Sequence, residues 1–134
     1  MKIDFTYEMV FSFGGPNLCV LGNEDDFKNL AKLILDLTTP GSTLDVELLK
    51  SGLFESVGTY KDVIFSSKPG AISLGKLKDE KLIFELDSRN WERLFKFFVL
   101  MSWDKRTYYL NAYEDYLEDL NLEQECNFIC SSEF

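Results

Sequence analysis

From Ile3 to Phe13 the apolar side chains Ile3, Phe5, Tyr7, Met9, Phe11 and Phe13 alternate with Asp4, Thr6, Glu8, Val10 and Ser12. A period of two belongs to a strand with one buried face, because successive side chains point to opposite sides of a sheet. FGGPN at 13–17 supplies turn residues and NLCVLG at 17–22 a second apolar run, so the opening predicts a β-hairpin. The period then changes to that of a helix. Phe27, Leu30, Ala31, Ile34 and Leu35 recur at helical spacing, Asn23 stands where an N-cap is needed, and Glu24, Asp25 and Asp26 place negative charge at the positive end of the helix dipole. TTPGS at 38–42 ends this helix near Leu37.

Between Thr43 and Asp87 the runs TLDVELL (43–49), YKDVIFSS (60–67), AISLGKL (71–77) and KLIFELD (81–87) are β-prone. Turn residues at 69–70 and 78–80 make an antiparallel meander of the last three. Leu44, Leu48, Leu49 and Leu53 also fit a helical period, so residues 43–53 stay open between strand and helix. Ser88 can cap a second helix with Trp91, Leu94, Phe95, Phe98 and Met101 on its apolar side, and a third helical pattern runs from about Tyr108 to Leu120. ECNFICSS at 125–132 closes the chain as a strand. The expected fold class is α+β: one domain over 1–134, with a mainly antiparallel sheet of about five to six strands packed with two to three helices.

Composition narrows the chemistry. Hydrophobic residues make up 46% of the chain and twelve are phenylalanines, enough apolar material for a core without metals or disulfides. With no histidine present, Ser-His-Asp and Cys-His catalysis and histidine-based zinc sites are excluded. The three cysteines, Cys19, Cys126 and Cys130, include no CxxC pair and leave a tetrahedral zinc site short of a ligand, so they are expected to be buried thiols in a reducing compartment. GAISLGKL at 70–77 follows the P-loop pattern through Gly70, Gly75 and Lys76. It fails at Leu77, where a magnesium-binding hydroxyl is needed, and no helix follows, so a β-hairpin is expected there. No cofactor and no metal is implied. The amino terminus lacks the apolar core of a signal peptide, and the longest apolar run, FFVLM at 97–101, is too short for a bilayer, so a cytoplasmic protein without membrane contact is expected.

The formal charge of −9 argues against nucleic-acid binding, which needs clustered lysine and arginine. Residues 104–134 hold eight acids and two bases, so −6 of the −9 lies in the last 31 residues. Within AYEDYLEDLNLEQE at 112–125 there are six carboxylates and no base. At 100° per residue, Tyr109, Ala112, Tyr113, Tyr116, Leu117 and Leu120 form one stripe, and Glu114, Asp115, Glu118 and Asp119 fall opposite. The pairs Glu114/Glu118 and Asp115/Asp119 are like charges at i,i+4, each costing about 0.2–0.5 kcal/mol. Such a face is either a solvated surface that keeps the chain soluble or a docking face for a basic protein. In the second case Glu114, Asp115, Glu118 and Asp119, with Glu123 and Glu125 nearby, attract the partner, and Tyr108 and Tyr113 anchor it. Acid/base catalysis needs a cleft that separates carboxylate pKa values, which neighbours on one helix do not supply.

The run YYLNAYEDYLEDLNLEQECNFICSSEF, in a small acidic chain without histidine, resembles the immunity proteins of bacterial polymorphic-toxin and contact-dependent inhibition systems. The resemblance implies a non-catalytic protein that binds a cognate toxin, often a basic nuclease, inside the producing cell. The alternative is a structural or adaptor subunit that forms homo- or hetero-oligomers through a sheet edge or exposed aromatics.

Overall fold

The α+β class expected from the periodicities is the class observed, with the strands shared between two sheets. The computed structural model of the chain describes residues 2–6, 17–56, 61–105, 107–109, 123–124 and 127–132. In chain order these form β1 (Lys2–Thr6), β2 (Asn17–Leu21), α1 (Glu24–Ile34), β3 (Asp45–Glu47), β4 (Glu55–Ser56), β5 (Asp62–Ser67), β6 (Ile72–Lys78), β7 (Lys81–Leu86), α2 (Ser88–Met101), β8 (Thr107–Tyr109), β9 (Glu123–Gln124) and β10 (Asn127–Ser131). The first sheet has the order β4-β1-β2-β10-β8 and the second β3-β5-β7-β6-β9.

β1 and β2 pair antiparallel, with Lys2 opposite Leu21 and Thr6 opposite Asn17, as a hairpin requires. The closing strand β10 lies parallel to β2 and antiparallel to β8. In the second sheet the β6/β7 hairpin forms as expected, but the meander does not extend to β5. β7 stands between β5 and β6 and runs parallel to β5, from Asp62 opposite Lys81 to Ser67 opposite Leu86. The Pro69-Gly70 loop therefore steps over the end of β7 rather than closing a tight hairpin. Lys68 N–H donates to Leu86 O and Asp87 N–H to Ala71 O, each at 3.0 Å. The reason is burial: β7 alternates most regularly, with Leu82, Phe84 and Leu86 fully buried, and the central position covers that face best.

Residues 43–53 resolve into both options. Asp45–Glu47 is a strand antiparallel to β5, and Leu48–Lys50 is a single 3-10 turn. The P-loop-like stretch is strand β6, and Gly75 adopts φ +92 where the pairing slips between Ser73 and Lys76, a position that favours glycine. The third helical pattern does not begin at Tyr108: Thr107–Tyr109 is an edge strand, Tyr108 opposite Cys130 and Tyr109 opposite Ile129. A β-branched residue followed by two tyrosines favours the strand once β10 offers a ladder. The rest of that pattern, 110–120, lies outside the described residues.

α1 begins as predicted. Asn23 Oδ1 accepts from Asp26 N–H at 2.8 Å while Asp26 Oδ2 accepts from Asn23 N–H at 2.9 Å, a reciprocal capping box. The helix continues as a 3-10 turn over Leu35–Thr38. α2 is capped one residue earlier than expected. Asp87 has the extended backbone of a cap and its Oδ1 accepts from Asn90 N–H at 2.9 Å, whereas Ser88 is already helical.

The core joins both sheets to both helices. Trp91 of α2 packs on Phe65 of β5 (centroids 4.9 Å apart), Phe65 on Phe84 of β7 (5.2 Å), and Phe84 on Phe128 of β10 (5.4 Å). Trp91 Nε1 donates to Ser66 O at 2.8 Å, so the indole is buried without an orphaned donor. Cys130 is fully buried beside this series and its thiol pKa is pushed well up, first by burial and then by the neighbouring Cys19. The buried-thiol expectation holds there; Cys19 is half-buried, and Cys126 lies outside the described residues. Among the described residues no helix is long and apolar enough to cross a membrane.

Candidate partner-binding surfaces

The acidic run is framed by two edge strands. The chain leaves β8, the last strand of the first sheet, at Tyr109, and rejoins β9, the last strand of the second sheet, at Glu123. In β9, Glu123 stands opposite Ser73 and Gln124 opposite Leu74, parallel to β6. Of the residues named for docking, Tyr108 and Glu123 are thus placed by backbone pairing on the edges of different sheets. Glu114, Asp115, Glu118, Asp119, Glu125 and Tyr113 lie outside the described residues.

Beside β9, the outward face of β6 and β7 carries a hollow of about 390 Å³ lined by Ser73, Lys76, Lys78, Ile83 and Glu85. The alternation of β7 explains it: Leu82, Phe84 and Leu86 turn inward, so Ile83 and Glu85 must turn out. Glu85 is partly neutralised by Lys68 at 3.5 Å, whereas Lys76 and Lys78 point positive charge beside the re-entry of the acidic run.

A second surface, absent from the sequence-based picture, lies between the helices. Trp91 at the start of α2 reaches Ser66, and Ser67 Oγ donates to Leu37 O just past α1, so those two ends are together. Phe27 meets Phe98 at 6.3 Å near the opposite ends, so α1 and α2 are antiparallel. Their shared groove, about 450 Å³, has Ala31, Leu35, Phe95 and Val99 as its apolar part, Asp25, Lys28, Lys32 and Ser102 as its rim, and Trp103 at one end. Trp103 is 80% exposed, and Leu35, expected on the buried stripe, is 49% exposed. The stripe points Phe27, Leu30, Ala31 and Ile34 inward, and Leu35 falls beyond its edge where the helix tightens into the 3-10 turn. The signal for Trp103 in the sequence was its position: it follows Met101, the last inward residue of α2, off the helical stripe and among polar neighbours.

Four carboxylates, buried Asp62, half-buried Asp26 and Asp87 and exposed Asp45, have structural work. Asp62 Oδ1 accepts from Leu49 N–H and Val63 N–H, Asp45 accepts from Ser66 Oγ, and Asp26 and Asp87 cap helices. Among the described residues no three metal-ligating His, Cys, Asp or Glu side chains converge. Compared with known proteins, the chain matches no protein-family model, no curated protein and no solved structure.

Proposed function

We propose that the protein is a non-catalytic cytoplasmic binding protein, an immunity protein that neutralises a basic toxin, nucleases included, by laying an acidic face over the toxin's active site. The observation that carries this reading is the charge distribution: six carboxylates and no base between Ala112 and Glu125. The run lies between two edge strands, following β8, which ends at Tyr109, and taking in β9 at Glu123–Gln124. A partner with a basic cleft is drawn to such a run at long range, raising association above the neutral rate of about 10⁵–10⁶ per molar per second. Inhibition is stoichiometric, with no turnover.

The expected genomic setting is a large secreted protein with a variable, basic carboxy-terminal domain encoded immediately upstream. Against that domain, reversing Asp115→Lys together with Glu118→Lys is expected to slow association about tenfold or more and to flatten its salt dependence. Affinity and salt slope equal to those of the wild type remove the acidic run as the interface.

One observation favours a second reading, a structural or adaptor subunit pairing through exposed aromatics: Trp103 stands largely in solvent beside an apolar groove.

A further inference from the structure

We propose that the α1/α2 face is a self-association surface, on which two copies of this chain pair about a two-fold axis with each Trp103 seated in the other's groove. Leu35 and Trp103, exposed by 49% and 80%, both line the groove between these two helices. Large apolar side chains left in solvent along one apolar groove mark a contact surface, whereas apolar residues exposed singly do not.

Charge selects the occupant. Asp25 and Lys32 lie two turns apart on the rim with Lys28 between them, and among the described residues none of the three has an ion-pair partner. Lys28 and Lys32 are like charges at i,i+4, a spacing that costs an isolated helix stability. A two-fold contact requires that if residue i meets j, then j meets i. Setting two α1 helices antiparallel about Lys28 and Asn29 brings Asp25 of each copy to Lys32 of the other, so one rim sequence satisfies both ion pairs. Because α1 and α2 are antiparallel, Trp103 sits at the Asp25 end of its own groove. The same two-fold operation carries it to the Leu35 and Phe95 end of the other, where Lys32 can lie over the indole face. This goes beyond the toxin-binding reading and does not depend on it.

Sedimentation equilibrium of the full chain at about 100 µM in physiological salt, where a standard-sized interface is populated, is expected to give twice the 15.5 kDa chain mass. Trp103→Ala should weaken pairing about tenfold or more, as loss of an aromatic anchor seated in a partner's groove does. Asp25→Lys and Lys32→Asp should each give monomers, since each sets like charges against each other. An equimolar mixture of those two variants should regain the dimer mass, because every interface pair again joins a lysine to an aspartate, and this recovery excludes misfolding as the cause. A wild-type monomer overturns the proposal. So does a dimer indifferent to all three substitutions, or a mixture that stays monomeric. Binding of a basic toxin through the acidic run is unaffected in these variants, so failure of either reading is seen separately.

Discussion

Phe84 of β7 and Phe128 of β10 meet edge to face, ring centroids 5.4 Å apart and planes at 86°, and this contact joins the second sheet to the first. Both rings are almost wholly buried. Phe128→Ala is expected to cost about 3–5 kcal/mol, transfer and cavity terms together. A double-mutant cycle with Phe84→Ala in urea should return a coupling of about 0.5–1.5 kcal/mol for the ring pair itself. Strict additivity would mean that the sheets are held together elsewhere.

The start of α2 offers a sharper test of local chemistry. Asp87→Ala should lose about 0.5–2 kcal/mol, since its carboxylate satisfies Asn90 N–H. Ser88→Ala, one residue into the helix, should change stability by less than about 0.5 kcal/mol. Equal effects in thermal unfolding would contradict the assignment of the cap.

The β6/β7 hairpin turns through Asp79 and Glu80 at φ 52 and 63, the left-handed region at both central positions. This is the turn that Asn-Gly forms most readily. Replacing Asp79→Asn with Glu80→Gly should raise stability by about 0.5–1 kcal/mol, the relief at Glu80 exceeding the entropy cost of glycine. The exposed Lys61–Glu80 pair at 3.3 Å is lost as well, a contribution of about 0.2–1 kcal/mol at most. A lower urea midpoint in the double variant would show that the ion pair outweighs the backbone strain.

Cys130 predicts a dependence on alkaline pH. Its folded-state pKa lies well above the ordinary thiol value, because burial disfavours the thiolate. The folded state therefore holds the proton more tightly than the unfolded chain. That stabilisation is complete below the ordinary thiol pKa and is lost as pH rises above it toward the raised folded value. The fall in stability above roughly pH 8.5 should be shallower in Cys130→Ala. In the native protein Cys130 should react with iodoacetamide only at the rate of unfolding; rapid labelling without unfolding would refute its burial.

Element types were largely legible because helix and strand periods are local properties. The β-prone run KLIFELD, the helical spacing of Phe27, Leu30, Ala31 and Ile34 and the Asn23 cap could each be read within a dozen residues, and each is observed. The misread start of the third helix shows the limit of that logic. Tyr108 and Tyr109 fit a helical wheel, but β10, some twenty residues later in the chain, offers backbone partners that favour a strand. For the candidate site, the acidic run was visible as charge alone. The groove was not, since the exposure of Trp103 and Leu35 depends on how two helices far apart in the chain, Glu24–Ile34 and Ser88–Met101, lie against each other.

By itself the sequence determined the α+β class, the Asn23 cap and the β6/β7 turn, the absence of histidine chemistry and the concentration of negative charge toward the carboxy terminus. Each of these follows from composition or from interactions within a few residues. Only the tertiary structure decided that the strands divide into two sheets, that β7 enters between β5 and β6, and that one helical face keeps apolar side chains in water. Those outcomes depend on contacts such as Phe84 with Phe128, whose value comes from burying rings that are distant in the chain, and no local period encodes which distant partner will cover them.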